Sequence, residues 1–70
     1  MSLDWNDSEE IGIQLFEKYP DLKPLEVRFT DLHKWVCELE EFEGDPTKSS
    51  EGILEAIQMV WYEEWKEENE

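Results

Sequence analysis

Ser50-Glu51-Gly52-Ile53-Leu54-Glu55-Ala56-Ile57-Gln58-Met59-Val60-Trp61 is the stretch on which the fold turns. Its apolar residues Ile53, Leu54, Ile57, Val60 and Trp61 recur at three- and four-residue intervals, so they line one broad face of an α-helix. A serine at the head of the run is a helix cap. A face that wide has to be covered by other elements, and the upstream chain supplies two candidates.

Working back from it, Glu43-Gly44-Asp45-Pro46 reads as a turn. Before that turn lies a second predicted helix, Asp31 to about Glu41, capped by Thr30, with Leu32, Trp35, Val36 and Leu39 as its apolar stripe. Asp7-Ser8-Glu9-Glu10 starts a first helix running to about Lys18. Asp7 is placed to accept its free N–H groups, Glu10 to reach back, and both charges suit the helix dipole. Ile11, Leu15 and Tyr19 mark its buried side, with Gly12 and Phe16 beside them and Ile13 off the stripe. Glycine costs helix stability, so Gly12 on that side implies another backbone passing close. Pro20 and Pro24 bracket a rigid turn, and Leu25-Glu26-Val27-Arg28-Phe29 alternates as a short extended segment would. Downstream, residues 63–70 form a charged helical extension. The expectation is one domain, residues 1–70, mainly all-α, with three helices.

Seventy residues barely bury one core, which leaves function to the surface. Four Trp, three Phe and two Tyr nevertheless supply enough apolar area to separate the chain from acidic disordered sequences. Twenty Asp and Glu against six Lys and Arg give a net charge of −14. Such a molecule repels nucleic-acid phosphates and anionic lipid headgroups and is steered toward basic surfaces or cations. Nucleic acid and membranes are therefore not expected partners. One cysteine, Cys37, rules out an internal disulfide framework. The opening residues are acidic where a signal peptide would be basic and then apolar, and no run reaches membrane-spanning length. The expected setting is the cytoplasm.

No nucleophile motif, phosphate-cradling glycine loop or metalloprotease pattern is present, and a domain this small has little room for a substrate cavity. The chain is not expected to be an enzyme. His33 and Cys37 share a helix side with Glu40 near it, a weak transition-metal pattern; lining a contact with a neighbouring segment is the reading favoured. The stronger constellation is Glu38, Glu40, Glu41, Glu43 and Asp45, five acids in eight residues. On a continuous helix Asp31, Glu38 and Glu41 would share a face away from Leu32 and Val36. Charge runs are usually solvated faces, but acids at a helix C-terminus oppose its dipole, and such a cost suggests use. That use is a basic partner, or a hard cation held loosely by oxygen ligands. Tyr62 and Trp65 lie among Glu63, Glu64, Glu67 and Glu68 as an aromatic edge with a charged rim.

Taken together, Trp5, Asp7-Ser8, Glu10-Ile11-Gly12, Tyr19-Pro20-Asp21-Leu22 and Val27-Arg28-Phe29-Thr30-Asp31 strongly resemble the IscX (YfhJ) family. So do His33, Trp35, Cys37, Leu39-Glu40, Phe42, Asp45-Pro46, Ile53-Leu54-Glu55-Ala56-Ile57 and Val60-Trp61, across essentially the whole chain. The resemblance implies a bacterial accessory protein of iron–sulfur cluster assembly with a modified winged-helix fold. It implies a regulatory adaptor that binds the cysteine desulfurase through an acidic surface, at a site overlapping that of bacterial frataxin. It also implies weak binding of iron(II) or iron(III) and no tightly bound cofactor.

Carried over, the partner-binding acids are Asp31, Glu38, Glu40, Glu41, Glu43 and Asp45, helped by Glu63 and Glu64. The iron candidates are Glu38, Glu40, Glu41, Glu43 and Asp45. The chain departs from the family pattern in its longer tail from Trp65 to Glu70, in Gly44 where another acid is expected, and in Ile13 for a polar residue. A monomer is expected. The rival readings are an iron(II) carrier or donor to the assembly scaffold and an acidic mimic of nucleic acid. DNA binding by analogy with other winged helices fails on the sign of the charge.

Overall fold

A computed structural model describes residues 2–69. Three helices carry the chain: α1 (Ser8–Lys18), α2 (Phe29–Cys37) and α3 (Glu51–Asn69), with 3₁₀ turns at Pro24–Glu26 and Pro46–Lys48. The only β pairing among the described residues is an isolated parallel bridge between Leu3 and Phe42. The all-α, three-helix expectation is met.

α1 and α3 form the closest pair. Ile11 and Leu15 of α1 face Ile57 and Trp61 of α3, and Leu32 and Val36 of α2 close the core; all six are fully buried. Gly12 explains how α1 and α3 come so near. A methyl built on it would fall 2.6 Å from a Val60 methyl and 3.1 Å from the Ile57 carbonyl oxygen, so the backbone approach read from the sequence is present. Trp61 is fully buried, and among the described residues no hydrogen-bond acceptor meets its indole N–H. Trp35 packs on it at 6.3 Å with ring planes 70° apart, and Tyr19 is tilted at 6.4 Å.

Several local readings are corrected. Asp7 does not cap α1 with its side chain; its Oδ2 accepts from the Asp4 N–H at 3.0 Å instead, while Asp4 Oδ1 accepts from Asn6 N–H at 2.8 Å. These two aspartates stabilise the preceding turn, and turn formation outcompetes capping here. The segment from Leu25 to Phe29 is not a strand. Pro24 opens a 3₁₀ turn, only Val27 and Arg28 are extended, and Phe29 already belongs to α2. Gln58 of α3 fastens that turn by donating to the Pro24 carbonyl at 2.8 Å.

Thr30 lies inside α2, whose cap position is Arg28, and α2 stops at Cys37 rather than near Glu41. The reason for the early stop is visible in the next residues. Leu39 turns inward to bury itself, and Phe42 is drawn onto the N-terminal segment. Continuing the helix would instead carry Glu38, Glu40 and Glu41 along its unfavourable C-terminal end. At α3 the serine cap holds: Ser50 Oγ accepts from the Ile53 N–H at 3.2 Å.

Candidate protein-docking surface

The acid-rich segment from Glu38 to Asp45 is a loop held at several points. The Leu3 N–H donates to the Glu41 carbonyl and the Glu43 N–H to the Leu3 carbonyl, each at 2.7 Å. Trp5 is buried beside it, stacked on His33 at 5.5 Å and edge-on to Phe42 at 4.7 Å. Its indole N–H donates to the Asp45 carbonyl at 2.6 Å. His33 Nε2 lies 2.7 Å from the Pro46 carbonyl oxygen. A carbonyl only accepts, so Nε2 donates to it, and Nδ1 faces the Cys37 thiol 3.9 Å away. Backbone bonds and one indole therefore fix a loop whose side chains are left to solvent.

Those side chains are Glu38, Glu40, Glu41, Glu43 and Asp45, all exposed. Two have neutral partners. Gln14 of α1 donates to Glu41 Oε2 at 2.9 Å, and Asp45 Oδ1 accepts from the Thr47 N–H at 2.9 Å and hydroxyl at 2.7 Å. The Thr47 backbone bond first, and its hydroxyl second, hold the Asp45 carboxyl below its usual 3.8. The expected common helix face of Asp31, Glu38 and Glu41 does not exist. Asp31 sits in the first turn of α2, Glu38 caps the other end, and Glu41 lies beyond it. Asp31 and Glu38 are thus about 10 Å apart along the axis.

Glu63 and Glu64 form a second acidic area. With Glu9, Ile13, Val60 and Glu67 they line a shallow depression of about 290 Å³ between α1 and α3. The Glu64 carboxyl is raised above its usual 4.5 by desolvation first, then by repulsion from Glu67, Glu68 and Glu9. On the other flank of α1, Gln14, Glu17 and Lys18 border an open depression of about 420 Å³ with Leu39, Glu40 and Glu41. The surface is acidic on both sides of one helix.

Cys37 is half-buried. Burial first, and Glu38 second, push its thiol above the usual 9.0, which keeps it protonated and a poor metal ligand or nucleophile. Among the described residues no three His, Cys, Asp or Glu side chains come together in a group able to hold a metal ion. The loop carries its carboxylates on successive turns, with the Leu39 N–H bonded to the Val36 carbonyl and the Phe42 N–H to the Leu39 carbonyl, and does not converge them. Among the described residues no helix is long and apolar enough to cross a membrane.

The residues that organise this surface without belonging to the acid run are Leu3, Trp5, His33 and Gln14. Trp5 and His33 carried a sequence signal, His33 as a residue expected to line a contact with a neighbouring segment; Leu3 pairs with a segment about forty positions away, and Gln14 looks like any solvated helix residue. Residues 3–66 match the family described as Iron-sulphur cluster assembly. The chain is similar to Uncharacterized protein PA3808 of Pseudomonas aeruginosa, 55% identical over 64 residues, which cover 91% of this chain and 97% of that one. The chain belongs to the iron–sulphur cluster assembly family, that of IscX and YfhJ.

Proposed function

We propose that this protein is a non-catalytic regulatory adaptor of cytoplasmic iron–sulfur cluster assembly that docks on the cysteine desulfurase through its acidic surface. The observation that carries the reading is the loop from Glu38 to Asp45. Its backbone is pinned by Leu3, Trp5 and His33 while its carboxylates face solvent. A pre-ordered row of charges loses little entropy on binding a basic patch, and it supports fast association that weakens with salt. Family membership supplies the pathway. The alternative, an iron(II) carrier, finds less support in the geometry, because the candidate ligands do not converge. Iron in this reading is weakly held cargo or signal.

The test is charge reversal where no fold contact is lost. Among the described residues the side chains of Glu38 and Glu40 have no hydrogen-bond or ion-pair partner, unlike those of Glu41 and Asp45. Calorimetric titration of Glu38→Lys/Glu40→Lys into purified cysteine desulfurase is expected to show at least about a tenfold loss of affinity. Wild-type affinity in that variant would discard the assignment of this loop.

A further inference from the structure

Most of what holds the acidic loop comes from the far end of the chain. Among the described residues, the backbone bonds that join residues 38–45 to a distant segment are both made with Leu3, whose N–H donates to the Glu41 carbonyl and whose carbonyl accepts from the Glu43 N–H. Two residues on, Trp5 donates to the Asp45 carbonyl, packs on Phe42 and stacks on His33. His33 reaches past it to the Pro46 carbonyl. Residues 3–5 thus form a clasp over the loop, and the Asp4–Asp7 turn joins that clasp to α1.

The clasp stands apart from the helical core. Ile11, Leu15, Leu32, Val36, Ile57 and Trp61 all come from the three helices and are wholly inaccessible, whereas Leu3, Trp5 and Leu39 form a rim layer, 6%, 7% and 6% exposed. A rim layer with few buried contacts opens at lower free energy than the domain as a whole. Charge also works against closure. Residues 2–7 carry Asp4 and Asp7, residues 38–45 carry Glu38, Glu40, Glu41, Glu43 and Asp45, and neither segment has a lysine or arginine. Closing the clasp brings two acidic segments together, and only neutral contacts offset the repulsion. A basic surface laid against the loop weakens that repulsion and favours the closed clasp. By linkage, the closed clasp favours the basic surface by the same factor.

We propose that clasp and loop are one two-state unit that opens apart from the helical core, and that its closed form is the one that docks. Trp5 is its positioning residue: buried itself, it acts on the partner through the loop. The proposal rests on the reading of this loop as the docking surface and adds how that surface is kept or lost. Affinity then scales with the closed fraction.

The experiment combines amide hydrogen exchange with titration into purified cysteine desulfurase, for wild type, Trp5→Phe and Trp5→Ala. In the wild type the Leu3 and Glu43 amides are expected to be at least about tenfold less protected than those of Ile57 and Trp61, and to gain protection when the desulfurase is bound. Trp5→Phe keeps the ring packing and should bind within about threefold of wild type. Trp5→Ala opens the clasp. Its Leu3 and Glu43 amides should lose about a hundredfold or more in protection, its Ile57 and Trp61 amides less than about tenfold, and its affinity should fall at least about tenfold. Core amides that lose protection in step with the clasp amides, or a Trp5→Ala chain that does not fold, overturn the separate unit. Freed clasp amides at wild-type affinity overturn the positioning role of Trp5 and leave the adaptor reading standing. A wild-type chain that does not bind the desulfurase overturns the adaptor reading, and the docking role of the clasp with it.

Discussion

Replacing Gly12 by alanine sets two effects of opposite sign against each other, and the structure decides between them. Within an exposed helix the change would stabilise by about 1 kcal/mol, because alanine gives up less backbone entropy. At Gly12 the new methyl would lie 2.6 Å from Val60 Cγ1, 2.7 Å from Val60 Cβ and 3.1 Å from the Ile57 carbonyl oxygen. Rotating Val60 cannot clear a contact to its own Cβ, and a carbonyl moves only with its helix. α1 and α3 must therefore separate by about 1 Å, against the close packing of Ile11, Leu15, Ile57 and Trp61. Such overpacking costs about 3 kcal/mol, at the upper end of the usual range, since relief is through backbone.

The net loss of about 2 kcal/mol is a large share of the roughly 4–10 kcal/mol expected for a domain of this size. It lowers the melting temperature by about 10 °C and the urea midpoint with an unchanged slope. Gly52→Ala is the internal control, since a methyl there meets nothing closer than Ser50 Oγ at 3.9 Å. It should stabilise by about 0.5 kcal/mol. A Gly12→Ala protein as stable as wild type in urea would refute the close approach of α1 and α3.

The remaining predictions concern the loop and the two acidic areas. Trp5→Phe keeps the ring but removes the bond to the Asp45 carbonyl; it should cost about 1 kcal/mol and speed hydrogen exchange at the Leu3 and Glu43 amides. Gly44→Asp would place a Cβ 2.6 Å from the Phe42 ring, so it should lower the melting temperature. Glu64→Gln should raise the melting temperature at neutral pH. Because the folded-state pKa of Glu64 is raised, its protonated form favours the fold, so wild-type stability rises relative to the variant as pH falls through that pKa toward 4.5. The advantage of glutamine should disappear below that window, and an advantage constant across pH would remove repulsion as its cause.

How far the sequence could be read depended on how local each determinant was. α1 and α3 announce themselves through four-residue periodicity, and Gly12 signalled a close contact because glycine on a buried helix face needs a reason. The C-terminal limit of α2 was illegible because the apolar period runs on through Leu39, while the competing interaction is a pairing of Phe42 with Leu3 from the far end of the chain. Asp7 looked like a cap for the same local reason that it made a turn with Asp4; both use a short carboxylate against a nearby N–H. The acid run was plain as composition. That it is a braced loop rather than a helix face rests on Trp5 and His33 contacts with Asp45 and Pro46, which no spacing rule reveals. Gly44, where the resemblance led us to expect an acid, has no positive φ; the Phe42 ring lies over it and leaves no room for a Cβ.

The most direct test of the account is the salt dependence of wild-type binding to purified cysteine desulfurase by calorimetric titration, with and without iron(II). The adaptor reading predicts micromolar or tighter affinity (about −8 kcal/mol or better) that falls steadily as salt rises. It also predicts that any effect of iron is a change in that affinity rather than a requirement for binding. Absence of binding at every salt concentration, with or without iron, would contradict it.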